Sequence, residues 1–261
     1  MSNPPELGPG GKVVTALSLT ATGGFVDAVG YIALFQVFTA NMSGNSVHIG
    51  MYLGHGDWSN LLRPLCAVAS YVVGMALTRI AVQAAARTRM KRIASVTLAV
   101  EALLLAIFAH ASPAMHFGQI TDLHSAAYFS FVAMLSFAMG VQTATLTHVG
   151  ALTVYTTFVT GTLTKMTESL TRIFFWVYDE VRRRGMSHIV RQAWRQQDVR
   201  QGATLGGVWL MYVAGAALGV LAKDRWNLRA LYFPVGLLVC FVILDRFRPL
   251  DTEEEQKQIK S

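Results

Sequence analysis

GGFVDAVGYIALFQVFTANMSGN, residues Gly23–Asn45, slides 117 positions along the chain onto GVQTATLTHVGALTVYTTFVTGT, Gly140–Thr162, with no gap. Gly23 meets Gly140, Val37 meets Val154, Thr39 meets Thr156 and Gly44 meets Gly161, with Phe38/Tyr155 and Ser43/Thr160 as near matches. Asp27 falls on Ala144, so on this register the two copies differ chemically. Each copy runs from a long apolar stretch into the same polar break, a serine or threonine, then glycine, then asparagine or threonine. Polar, glycine-bearing breaks at matching places in two halves of an apolar chain point to a binding site between repeats.

Composition sets the class. Of 261 residues, 53% are apolar and 14% charged, where a soluble domain carries about 25% charged residues. Apolar stretches long enough to span follow one another with short connections, the pattern of a polytopic helical membrane protein. The expected fold is all-α, a single membrane domain over residues 1–261. The opening MSNPPELGPGGK leads into an apolar stretch that carries Asp27 and lacks a small-residue cleavage site, so it reads as a retained span. Cys66 and Cys240 lie in apolar segments and read as small buried hydrophobes, not a disulfide framework. The net charge of +7 sits at segment ends instead of in a patch interleaved with aromatics, which argues against a nucleic-acid partner.

The expected spans are Val13–Phe38, Leu61–Ala86, Ile93–Ala111, Ser125–Thr147, Ala203–Ala222 and Leu228–Leu244. Met42–Gly54 and Thr156–Tyr178 read as short or broken helices. The first of these reaches only about 20 Å against a hydrocarbon core of about 30 Å, and the second carries Lys165, Glu168 and Arg172. With six crossings and both termini cytoplasmic, 15 Lys/Arg lie inside and 4, namely Arg63, Lys223, Arg225 and Arg229, outside. With eight crossings the better split is 12 to 7. The positive-inside rule favours six. Three crossings per half make the copies opposite in orientation, an inverted (3+1)+(3+1) repeat with halves at about 13–111 and 125–246. SYVVGMAL at Ser70–Leu77 echoes MYVAGAAL at Met211–Leu218, an offset of 141 created by a basic cytoplasmic insertion at 180–202. Ile189, Val190, Ala193 and Trp194 share a helical face there, which suggests an interfacial amphipathic helix or a solvated basic loop. A charged tail occupies 247–261.

Asp27 is the sharpest single residue, because an ionisable group in mid-span is costly unless it meets a cavity or a partner. Thr20, Gly23, Gly24, Gly30 and Tyr31 share its face. A carboxylate bonded to a neighbouring helix for structural reasons is the alternative reading. Glu101 is a second mid-span acid, and proton exchange at either acid near neutral pH is what coupled transport requires. Gln142 lies beside Gly140. The breaks themselves, Asn41, Met42, Ser43, Gly44 and Asn45 with Thr156, Thr157, Phe158, Val159, Thr160, Gly161 and Thr162, can bind a solute or satisfy backbone freed where a helix stops. Glu168 and Arg172 are spaced for an ion pair along the helix, with Lys165 one turn earlier. Gly202–Gly206 and Gly215–Gly219 predict tight helix packing. His110, His116, His124 and Asp122 lack metal-ligand spacing, and no hydrolase, phosphate-loop or dinucleotide motif is present. Neither an enzyme nor a cofactor is expected.

The paired motifs resemble the YoaK family: Gly23-Gly24-Phe25-Val26-Asp27-Ala28 leading to Asn41–Asn45, and Gly140-x-Gln142 leading to Thr156–Thr164. The resemblance covers nearly the whole chain. It implies a multi-pass membrane protein with six spans and supplies no activity. The residue after Gln142, often asparagine in such proteins, is Thr143 here, so no side-chain amide is implied at that position.

The expected function is a secondary transporter or permease of the cytoplasmic membrane, proton-coupled through an acid such as Asp27 or Glu101. Its partners would be the bilayer, a small polar or charged solute and, since six spans are few to enclose an aqueous path, a second copy. The solute-binding residues expected are Asp27, Asn41, Ser43, Gly44, Asn45, Glu101, Gln142, Thr157, Thr160, Gly161 and Thr162. A non-transporting scaffold or lipid-binding protein, motivated by the basic insertion, is the rival, and an ion channel a third reading.

Overall fold

A computed structural model describes residues 8–88, 92–114, 123–145, 148–149, 152–153, 157–184 and 192–248. They form helices α1 (Pro9–Ala33), α2 (Met42–His55), α3 (Trp58–Thr88), α4 (Ile93–Ala114), α5 (Ala126–Thr145), α6 (Val159–Arg184), α7 (Gln197–Trp226) and α8 (Tyr232–Phe247). A two-residue hairpin, His148–Val149 against Leu152–Thr153, lies in the connection between α5 and α6. Among the described residues, five helical stretches are long and apolar enough to cross a membrane: Gly10–Ala33, Trp58–Thr88, Ile93–Ala111, Ala126–Thr145 and Gln197–Phe247. The fifth contains both α7 and α8, because the 3₁₀ turn Asn227–Leu231 joins them directly. Asn227, at φ 54°, is where that stretch bends, so the expected helix start at Leu228 moves to Tyr232.

α1 ends at Ala33, five residues before the expected Phe38. Phe35 and Gln36 adopt left-handed φ of 51° and 68°, a conformation that stops a helix of L-residues. The apolar run continues past the helix end only because residues 34–41 turn back into the protein.

Close helix crossings organise the bundle. α1 lies along α7, with Gly24 under the Tyr212 carbonyl and Gly215 against the Ala21 carbonyl; α3 lies along α5, with Gly140 under the Tyr71 carbonyl and Gly74 against the Phe137 carbonyl. A Cβ at Gly24, Gly140, Gly215 or Gly74 would sit 2.0–2.4 Å from those oxygens, so only glycine permits the approach. Within each pair the helices run parallel. α1 and α5 run antiparallel: Gln142 donates its amide to the Leu19 carbonyl, while Tyr128 donates its hydroxyl to the Leu34 carbonyl. α4 and α8 also run antiparallel, since Ser95 near the start of α4 bonds Asp245 near the end of α8. Most of the largest fully buried side chains, among them Leu19, Leu98, Leu105, Tyr128 and Met139, belong to α1, α4 and α5, with Leu205 of α7 and Leu238 of α8 beside them.

The basic insertion differs from expectation. Residues 180–184 finish α6, Ala193–Arg195 form a 3₁₀ turn, and Gln197–Gly202 open α7; Ile189 and Val190 lie outside the described residues. The amphipathic helix is α6 itself, which exposes Leu170, Phe174, Phe175 and Tyr178. Gly202 and Gly206 pack α7 on α6, facing Ile173 and Met166, while Gly215 and Gly219 pack it on α1. Both glycine pairs thus do what their spacing suggested. Arg172 joins α6 to α7 through Asp198, 2.6 Å away. Of the two cysteines, Cys66 is half-buried and Cys240 exposed, which corrects the expectation of burial for Cys240. His116 and Asp122 lie outside the described residues, and the described ones hold no His/Cys/Asp/Glu cluster able to bind a metal.

Candidate functional site

The first break is held from α1. Asp27, 4% exposed, accepts the Thr39 N–H at 2.8 Å, the Ala40 N–H at 2.7 Å and the Thr39 hydroxyl at 3.1 Å on one oxygen. Its other oxygen accepts the Tyr212 hydroxyl at 2.7 Å. Four donors hold this carboxylate in the protein and fold the 34–41 connector back to the level of Asp27. The structural reading of Asp27 is therefore the one the geometry supports. Arg63 secures the same connector from outside, donating to the Phe35 carbonyl and to the Tyr128 hydroxyl. It is 7% exposed.

α2 then starts at Asn41, whose side-chain oxygen accepts the Gly44 N–H and the Ser43 hydroxyl. That is N-capping in the ordinary sense. Asn45 is fully buried and clasps the Phe38 backbone, donating to its carbonyl and accepting its N–H. The space beside Gly44 is taken by the Phe38 ring. Gly44 and Asn45 thus serve the turn; neither lines the cavity described below.

The second break repeats this construction with neutral groups. Thr143 and Thr157 hydroxyls lie 2.7 Å apart, and Tyr71 donates its hydroxyl to Thr143 at 2.9 Å. Thr143 follows Gly140 by three residues, as Asp27 follows Gly24, and each takes the hydroxyl of the tyrosine whose carbonyl passes over that glycine. The counterpart of Asp27 is accordingly Thr143, not Ala144. Met42 and Val159, which begin α2 and α6, are 117 positions apart, whereas Gly24 and Gly140 with their tyrosine contacts are 116 apart. Backbone contact at the glycines fixes the helical register more strongly than sequence identity does. Gly161 has the Phe158 ring where its Cβ would be, and Thr162 donates to the Phe158 carbonyl.

The two breaks meet. A cavity of about 780 Å³ is walled by Asn41 and Ser43 from the first, by Thr157 and Thr160 from the second, by Tyr71 and Arg79 of α3, and by Thr143 and Tyr212. Asp27 stands directly behind Tyr212. Gln142 is fully buried against α1, its carbonyl oxygen without a hydrogen-bond partner among the described residues. Glu101 is also fully buried, on α4, and neither of its oxygens has such a partner. α4 contributes nothing to the cavity wall, so Glu101 is not brought to it. The sequence passed over Tyr71 and Tyr212, although both belong to the SYVVGMAL/MYVAGAAL echo, one turn before Gly74 and Gly215. Arg79 was visible only as a charge inside a segment.

Comparison with known proteins agrees with a membrane setting. The chain is 32% identical over 163 residues to "UPF0700 transmembrane protein YoaK" of Bacillus subtilis (strain 168), an alignment covering 62% of this chain and 69% of that protein. No solved structure matches it. A family described as "Protein of unknown function (DUF1275)" matches residues 15–244. The chain is a membrane protein and a member of that family.

Proposed function

We propose that the protein is a permease of the cytoplasmic membrane that carries a small polar or charged solute through the cavity between the two breaks. One observation carries the reading: a single space of about 780 Å³ takes its polar wall from both breaks at once, as a solute site at a repeat interface would. Its volume falls in the range of small-molecule sites, about 300–1,000 Å³.

The proposal includes six crossings in two inverted halves, with α2 and α6 entering part-way. Helix direction supports it. α1 parallel to α7 and α4 antiparallel to α8 fit together only if neither α2 nor α6 crosses. Adding α2 alone would reverse α7 relative to α1; adding α6 would set α8 parallel to α4. α8, at 16 residues, is about 24 Å long and needs the preceding 3₁₀ turn to complete a crossing. α6, at 26 residues, is about 39 Å long, and from mid-depth about 15 Å of hydrocarbon remains. Its far end, with Arg182 and Arg183, therefore leaves the membrane on the side of the α7 start, the cytoplasmic side by the distribution of basic residues. Both termini are then cytoplasmic.

Uptake by purified protein in proteoliposomes tests the function. Flux of at least one solute from a broad panel, with or without a pH gradient, is expected, and Thr160→Trp, which fills the cavity, is expected to abolish it. No flux for any solute under either condition contradicts the reading. The exposed aromatics of α6 favour a second reading, a docking protein. That reading gains if Phe174→Ser with Phe175→Ser removes the cellular phenotype while Thr160→Trp leaves it intact.

A further inference from the structure

We propose that a groove between α1, α7 and α8 holds the acyl chain of an anionic phospholipid whose phosphate is met by Arg225. The groove is separate from the cavity between the breaks, and the inference does not depend on the permease reading. α7 and α8 hardly touch beyond the 3₁₀ turn that joins them, and Ala21 and Phe25 of α1 floor the gap. The space is about 460 Å³, with a wall of apolar groups such as Leu218, Leu221 and Leu237. Thr22, which also lines it, returns its hydroxyl to the Ser18 carbonyl one turn earlier. Arg225 and the Trp226 indole are what the wall offers a polar group. The inner end lies at Gly215, where α7 presses on the Ala21 carbonyl. Arg225 is ten residues further on, about 15 Å along the helix. That is half of a hydrocarbon core of about 30 Å, the depth of one leaflet. Arg225 is exposed, and its guanidinium stands over the Trp226 ring, 5.9 Å from the centroid. Stacking of this kind holds the group at the mouth and leaves its edge N–H donors for an oxyanion. Between residues 223 and 229, Lys223, Arg225 and Arg229 face a single acid, Asp224, so the local charge favours an anion too. A free phosphate has no use for an apolar slot one leaflet deep, and an uncharged lipid has none for the cation at its mouth.

Tryptophan quenching in the full chain tests this. With Trp58, Trp176, Trp194 and Trp209 changed to Phe, Trp226 reports on the groove. A second protein that keeps Trp58 alone, exposed at the start of α3, reports on ordinary lipid contact. Each is reconstituted in mixtures of phosphatidylcholine and phosphatidylglycerol, with bromine on the acyl chains of one lipid or the other. Bromine quenches indole on contact, and because it sits on the chain, a free phosphate cannot produce the signal. At Trp226 the anionic lipid should be preferred by about fivefold, and at Trp58 it should not be. Arg225→Gln should abolish the preference at Trp226, while Arg225→Lys keeps it. Native mass spectrometry of the chain with all its tryptophans gives a second reading that survives misfolding of the tryptophan variants: one phosphatidylglycerol retained, and lost in Arg225→Gln. Equal preference at the two tryptophans, or no lipid retained by the wild type, overturns the site. A preference at Trp226 unchanged by Arg225→Gln overturns the role of Arg225. No quenching at Trp226 by either brominated lipid means that no chain enters the groove and overturns the inference outright.

Discussion

Replacing Asp27 should damage the fold in a graded and predictable way. Asp27→Ala removes the acceptor for the Thr39 and Ala40 N–H groups and for the Thr39 and Tyr212 hydroxyls. Hydroxyls can rotate towards other acceptors, but the two backbone N–H groups are fixed by the connector. Each unsatisfied buried donor costs about 1–3 kcal/mol, so the loss should reach about 3–5 kcal/mol. Asp27→Asn keeps one carbonyl oxygen for the connector, and its amide can donate to the Tyr212 oxygen instead of accepting from it, so only charge assistance is lost, about 1–2 kcal/mol. Tyr212→Phe removes a single charge-assisted bond, about 1.5–3 kcal/mol. Thr143→Ala, at the matching position of the second half, breaks only neutral hydroxyl contacts and should cost about 1 kcal/mol. Equilibrium unfolding in mixed micelles, followed by circular dichroism, measures the series. Asp27→Ala unfolding within about 0.5 kcal/mol of the wild type, on the scale of a neutral surface substitution, would refute the reasoning, because the carboxylate would then not be holding the break.

Other outcomes follow from the same geometry. Gly24→Ala and Gly140→Ala each drive a methyl into a backbone carbonyl, at 2.1 and 2.2 Å, and should destabilise to similar degrees, by about 1–3 kcal/mol or more; equal tolerance of alanine at both, seen in thermal melts, would argue against the crossings. Asp57 accepts hydrogen bonds from Asn60 and Ser59 at the start of α3, and the Asn60 side chain foremost holds its carboxyl below the ordinary value of 3.8. A lowered folded-state pKa stabilises above that range and ceases to do so as pH falls through it, so acid unfolding below about pH 4 should be shallower in Asp57→Asn than in the wild type. In a cysteine-free background, Asp57→Cys and Trp226→Cys should react with impermeant maleimide from outside intact cells, and Arg183→Cys only after lysis; Asp57→Cys reacting only after lysis while Trp226→Cys still reacts from outside would restore an eight-crossing arrangement.

Much of this was legible in the sequence because the signals were local. Apolar length announced the spanning helices, and the [Ser/Thr]-Gly-[Asn/Thr] breaks announced where α2 and α6 begin. What sequence could not supply was the direction in which a polar side chain turns. Asp27 looks like a solute ligand until Thr39 and Ala40 are seen to fold back onto it, and that return depends on two left-handed residues with no glycine to announce them. Glu101 and Ser43 read alike as polar residues in apolar surroundings, yet only Ser43 reaches the cavity. Tyr71 and Tyr212 hide because tyrosine is unremarkable in a span; their role comes from the carbonyl each lays over a glycine of another helix. Arg63 reads as one of four outer charges and nothing more, because its partners, Phe35 and Tyr128, are distant in the chain.

The most direct test joins the two breaks. Ser43→Cys with Thr160→Cys, in a chain otherwise free of cysteine, should be linked within one molecule by a short bifunctional methanethiosulfonate in native membranes. Ser43→Cys with Phe175→Cys should not, since Phe175 lies about 22 Å further along α6. Linkage of the second pair and not the first would contradict a shared cavity between the breaks.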